Sequence, residues 1–88
     1  MGNVHLRQGR YAEALNHYQR SVKLAETVGN EPGLADTMKN IGDVHRALGH
    51  NSEALASYER AARIAERLGL PARDQYRRLR DETQRQVR

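Results

Sequence analysis

The chain repeats itself with a period of forty residues. "GRYAEALNHYQRS" begins at Gly9, and "GHNSEALASYERA" begins at Gly49. Sliding the sequence by forty superposes Gly2 on Gly42, Val4 on Val44, His5 on His45 and Gly9 on Gly49. The match continues without a gap through Glu13/Glu53, Ala14/Ala54, Leu15/Leu55, Tyr18/Tyr58, Ala25/Ala65 and Gly29/Gly69. Mismatches such as Leu24 against Ile64 and Val28 against Leu68 keep their apolar character. A fixed period of this length marks stacked units, each burying an apolar face on its neighbour.

The units are helical. Over residues 11–28, Tyr11, Ala14, Leu15, Tyr18, Val22, Ala25 and Val28 fall at spacings of three and four, one stripe of a helix. Residues 52–68 carry Leu55, Tyr58, Ala62 and Ala65 on the same stripe, with Asn51 placed to cap the N-terminus. Gly29 and Gly69 are stop signals, and Pro71 discourages continuation. A second helix is expected from Pro32 or Gly33 to Leu48, with Pro32 in its first turn. Its stripe is Leu34, Met38, Ile41, His45 and Leu48. Gly42 in mid-helix costs about 1 kcal/mol against Ala, and close approach of a neighbouring backbone would explain it.

Composition agrees with an all-α chain and narrows the chemistry. Cys is absent, which removes disulfides and thiolate metal sites. Only two prolines could interrupt a helix. No apolar run reaches the length of a membrane span and no signal peptide is visible, so the expectation is a cytoplasmic protein with no membrane partner. The formal net charge of +4 is unevenly spread. Residues 1–72 hold nine Lys/Arg and eight Asp/Glu, a net of +1, whereas residues 73–88 hold six Arg and three acids, a net of +3.

Ile41-Gly42, His45, Gly49, Ala54, Tyr58 and Ala61 together resemble the tetratricopeptide repeat. Met1-Gly2, His5, Gly9, Ala14, Tyr18 and Ser21 repeat the pattern one unit earlier, with Gly9 near the turn of the hairpin. His stands in both units where the family has a tyrosine, and Met38 stands where it has a tryptophan. The forty-residue period is similar to the variant in kinesin light chains and in the sensor regions of bacterial regulators. The resemblance implies a right-handed stack of antiparallel helical hairpins. It divides the chain into an N-terminally truncated unit over 1–30, a complete unit over 31–70 and a charged capping helix over 71–88. Shifted by forty, Ile41 and Gly42 fall on Asp81 and Glu82, so no third repeat is expected to begin there. Tyr76, Leu79, Thr83 and Val87 make the narrow stripe by which the capping helix would dock.

Nothing points to catalysis: the sequence has no phosphate loop, metalloprotease motif or nucleophile elbow. The expectation is a non-enzyme without cofactor. His5 and His45 occupy equivalent packing positions, which favours rings that fill space over metal ligands. By the resemblance, the leading helix of each unit lines a concave face along which a partner peptide or helix lies. On the complete unit that face is Asp36, Lys39, Asn40, Asp43 and Arg46, with Ala47; Asn3 and Arg7, with Leu6, correspond on the first unit. Asn40 and Asn3 matter most, because an amide can satisfy both N–H and C=O of a peptide backbone. Two further readings stand beside this one. The incomplete first unit could self-associate into a homodimer or larger scaffold. The arginine-rich tail could contact nucleic acid, but its i,i+4 pairs (Asp74 with Arg78, Arg77 with Asp81, Asp81 with Arg85) and single aromatic favour a solvated cap.

Overall fold

A computed structural model describes the backbone over residues 2–87 and the side chains over residues 9–87. Four helices and no strand make up the described residues: α1 (Gly2–Val28), α2 (Glu31–Ala47), α3 (Asn51–Leu68) and α4 (Arg73–Gln86). Each packs on the next in chain order, α1 on α2, α2 on α3 and α3 on α4.

The three turns are built alike, twenty residues apart. Gly29, Gly49 and Gly69 take positive φ angles of 73°, 81° and 68°, where a side chain would be strained. The residue after each glycine donates its N–H to a carbonyl five residues back: Asn30 to Ala25 at 2.8 Å, His50 to His45 at 2.8 Å, Leu70 to Ala65 at 2.9 Å. This is the bond that closes a helix on a left-handed glycine. At the start of α2 the Asn30 side chain accepts from the Gly33 N–H at 3.1 Å, and Pro32 sits in the first turn. The N-cap of α3 is His50, without a side-chain cap bond, so Asn51 is the first helical residue rather than the cap.

Gly9 departs from the series. The helix runs through it, and α1 is one element where the repeat led us to expect a hairpin. A reversal strands about four N–H and four C=O groups at the new helix ends. Only apolar burial by both arms offsets that, as at Gly49, where α2 and α3 bury Ile41, Val44, Ala54 and Tyr58.

The core is made of small residues. Ala35 of α2 and Ala54, Ala61, Ala62 and Ala65 of α3 are wholly buried, which lets the helices approach closely. Tyr58 is the largest side chain among them, also wholly buried. Its ring lies against Gly42: a Cβ built there would meet Tyr58 Cε1 at 2.6 Å. The expected close neighbour of Gly42 is therefore an aromatic ring and not a backbone.

α4 packs on α3 beside α2. Tyr76 joins the core cluster beside Leu34, Ala35, Ile64 and Ala65. Thr83 is fully buried, its hydroxyl satisfied by the Leu79 carbonyl at 2.7 Å. Leu79 and Val87 are half-buried, so the expected docking stripe is the one used. The bounds of α4 fall inside those of α2 displaced by forty residues. α4 thus takes the place that α2 holds one period earlier, although the Ile-Gly signature of a repeat is missing.

Candidate partner-binding face

The charged residues of the expected face on α2 are engaged with one another and with neighbouring helices. Asp36 is exposed; Lys39, Asn40, Asp43 and Arg46 are half-buried. Asn3 and Arg7 have side chains outside the described residues. Lys39 Nζ meets Asp43 Oδ2 at 2.7 Å, one helical turn apart. The Tyr58 hydroxyl donates to Asp43 Oδ1 at 2.5 Å, so one carboxylate ties α2 to α3 and holds Lys39 against the helix. Further along, Arg46 Nη1 lies 3.6 Å from Glu82 Oε2 of α4.

The titrating groups record these contacts. The hydrogen bond to Asp43 raises the Lys39 ammonium above its ordinary range despite some burial. Burial, followed by the Asp43 carboxylate, pushes the Tyr58 phenol far up. Tyr76 is raised by burial and then by the charge of Asp36. Asp36, Lys39 and Tyr76 therefore share one neighbourhood, where α2 and α4 lie side by side.

Tyr58 and Glu82 anchor this face, and the sequence reading assigned neither to it. A signal existed for the first: Tyr58 follows Asp43 by fifteen residues across a hairpin whose turn is marked by Gly49. For Glu82 there was none, because its place depends on how α4 lies.

The arginines of α4 turn back onto α3. Arg77 Nε meets Glu66 Oε1 at 2.6 Å, holding that carboxyl below its usual range, and Arg80 Nη1 lies 3.9 Å from the same oxygen. Arg73 donates to the carbonyls of Gly69 and Leu70 at 3.3 and 3.2 Å. Within α4, Arg77 also approaches Asp74 at 3.6 Å, in place of the i,i+4 pairs expected from spacing.

Among the described residues no group of three or more His, Asp or Glu is placed to hold a metal ion. His45 is half-buried, its ring 5.8 Å from that of His50, with Nδ1 buried and lacking a hydrogen-bond partner. Among the described residues no helix is long and apolar enough to cross a membrane.

The family model of the tetratricopeptide repeat matches residues 1–67, which is α1, α2 and nearly all of α3. The chain belongs to the tetratricopeptide repeat family. No curated protein and no solved structure matches it. Tetratricopeptide repeats generally mediate protein–protein interactions and are typically non-enzymatic. The tetratricopeptide match ends short of α4.

Proposed function

We propose that this tetratricopeptide segment binds a protein partner, as an extended peptide or a helix, along the α2 face of Asp36, Lys39, Asn40, Asp43 and Arg46. The observation that carries the reading is the fixed network beneath that face. Lys39, Asp43 and Tyr58 hold one another, and Arg46 holds Glu82. Side chains already ordered lose less entropy when a partner arrives. Asn40 lies between the two ends of the network and supplies the amide that can bond a peptide backbone in both directions.

The basic excess of the C-terminal segment serves the cap. Arg73 is directed at the carbonyls of the α3–α4 turn, Arg77 at Glu66 of α3, and Arg80 at Asp81 and Glu66, which supports a latch and speaks against a nucleic-acid stripe.

Selecting peptides from a random display library on the whole chain tests the proposal. Affinities of the selected peptides are then compared on Asn40→Ala, with helicity checked by circular dichroism. Loss of about tenfold at Asn40→Ala, about 1.4 kcal/mol, is the expected result. Selected peptides that bind Asn40→Ala and Asp36→Ala as well as the parent would place the site elsewhere.

A further inference from the structure

The forty-residue repeat lets one half of the molecule report what the other half lacks. In α3, the stripe Ala54, Tyr58, Ala61 and Ile64 is covered: the first three are wholly buried and Ile64 is 8% exposed. Ala61 and Ile64 pack in one cluster with Leu34 and Ala35 of α2, and Tyr58 lies on Gly42 with its hydroxyl on Asp43. The equivalent stripe on α1 is Ala14, Tyr18, Ser21 and Leu24, in the same spacing. There, Ala14 and Tyr18 are only half-buried, Ser21 is exposed and Leu24 is 65% exposed. Val28, next along the stripe, is likewise 65% exposed. α2 is seated on α3 and on Val22 and Ala25 of α1; it borders this face only with its first turns at Asn30, Gly33 and Thr37, and leaves Leu24 and Val28 open. Residues 2 and 3 carry the Gly-Asn counterpart of Gly42-Asp43, but α1 runs straight through Gly9 and puts them about 24 Å from Tyr18 along its axis.

We propose that the Ala14–Tyr18–Ser21–Leu24 face of α1 binds an amphipathic helix of the α2 kind, one with a Gly followed by an acid or amide. The Gly admits the Tyr18 ring as Gly42 admits that of Tyr58. The following Asp or Asn accepts the Tyr18 hydroxyl as Asp43 accepts that of Tyr58, so both a shape and a polar partner are specified. Apolar residues seven and eight places before the Gly, the places of Ala35 and Leu34 in α2, cover Ser21 and Leu24 as those two cover Ala61 and Ile64. This site lies on α1 and is separate from the Asp36–Arg46 face of α2.

The chain itself provides the probe. A fluorescein-labelled synthetic peptide of residues 30–49 is titrated with the full chain and followed by anisotropy. Saturable binding is expected, weakened about tenfold or more by Leu24→Glu or Ser21→Arg in the chain and by Gly42→Leu in the peptide. Leu24 and Ser21 are exposed, so these variants keep the fold, and unchanged circular dichroism verifies it. Absence of saturable binding, or binding indifferent to all three changes, overturns the proposal. Light scattering on the chain alone supplies the other decisive outcome. A dimer that Leu24→Glu dissolves would assign the face to a second copy and overturn the occupant proposed here.

Discussion

Tyr58 and Asp43 join the two helices of the complete unit through a single hydrogen bond of 2.5 Å, made where the tyrosine ring crosses Gly42. Packing and polar satisfaction meet at this point. The ring fills the space a missing side chain leaves, its hydroxyl has an acceptor, and that acceptor in turn fixes Lys39 on the outer face.

Removing the hydroxyl tests the joint. Tyr58→Phe keeps the ring and loses a hydrogen bond to a charged group, which costs about 1.5–3 kcal/mol. Chemical denaturation should show a lower midpoint at unchanged m-value. Lys39 still compensates Asp43 in the variant, which keeps the loss toward the lower end of that range.

The glycines at positions 42 and 9 should respond in opposite directions. A side chain at Gly42 meets three atoms of a buried ring at 2.6 to 3.0 Å, so Gly42→Val overpacks the core, at about 1–3 kcal/mol. Nothing lies within 4 Å of a Cβ at Gly9, which is helical with ordinary φ. Gly9→Ala should therefore stabilise α1 by about 0.5–1 kcal/mol. Thermal melts of the two variants decide it; destabilisation by Gly9→Ala would mean that a turn forms there.

Alkaline pH should loosen the fold through its buried tyrosines. Tyr58 and Tyr76 both have folded pKa values raised above the ordinary phenol value of 10.0. The unfolded chain releases these protons first, so their contribution is complete below about pH 10 and declines as pH rises toward the folded values. Denaturation at pH 8 and pH 11 should show that decline, and Tyr58→Phe should reduce it.

α4 should be held by Tyr76 far more than by its arginines. Glu66 is exposed and meets Arg77 in water, so Glu66→Gln should change stability little, and less still in high salt. Tyr76→Ala empties a site in the core cluster and should cost about 3 kcal/mol or more. Hydrogen exchange over α4 would separate the two variants.

What the sequence made legible was whatever is local or repeated. Gly29, Gly49 and Gly69 announce their turns, and of the expected α3 stripe Tyr58, Ala62 and Ala65 are wholly buried and Leu55 half-buried. Gly9 has the same motif and a different outcome, because a hairpin forms only where both arms bury apolar surface, and residue type does not report that. The α4 arginines illustrate a second limit. Spacing suggests partners within the helix, whereas docking on α3 offers Glu66 across the interface. α4 itself escaped as a helix in the place of α2, since Asp81 and Glu82 stand where α2 has its Ile-Gly pair. Beneath the proposed α2 face, the contacts of Asp43 with Tyr58 and of Arg46 with Glu82 required the packing.

The most direct measurement of the central claim is amide hydrogen exchange on the whole chain with and without a display-selected peptide. Partner binding on the α2 face predicts added protection over Asp36–Arg46 and at the neighbouring turns of α4 around Leu79, with α1 unchanged. Protection confined to the arginines of α4, or spread evenly along the chain, would contradict it.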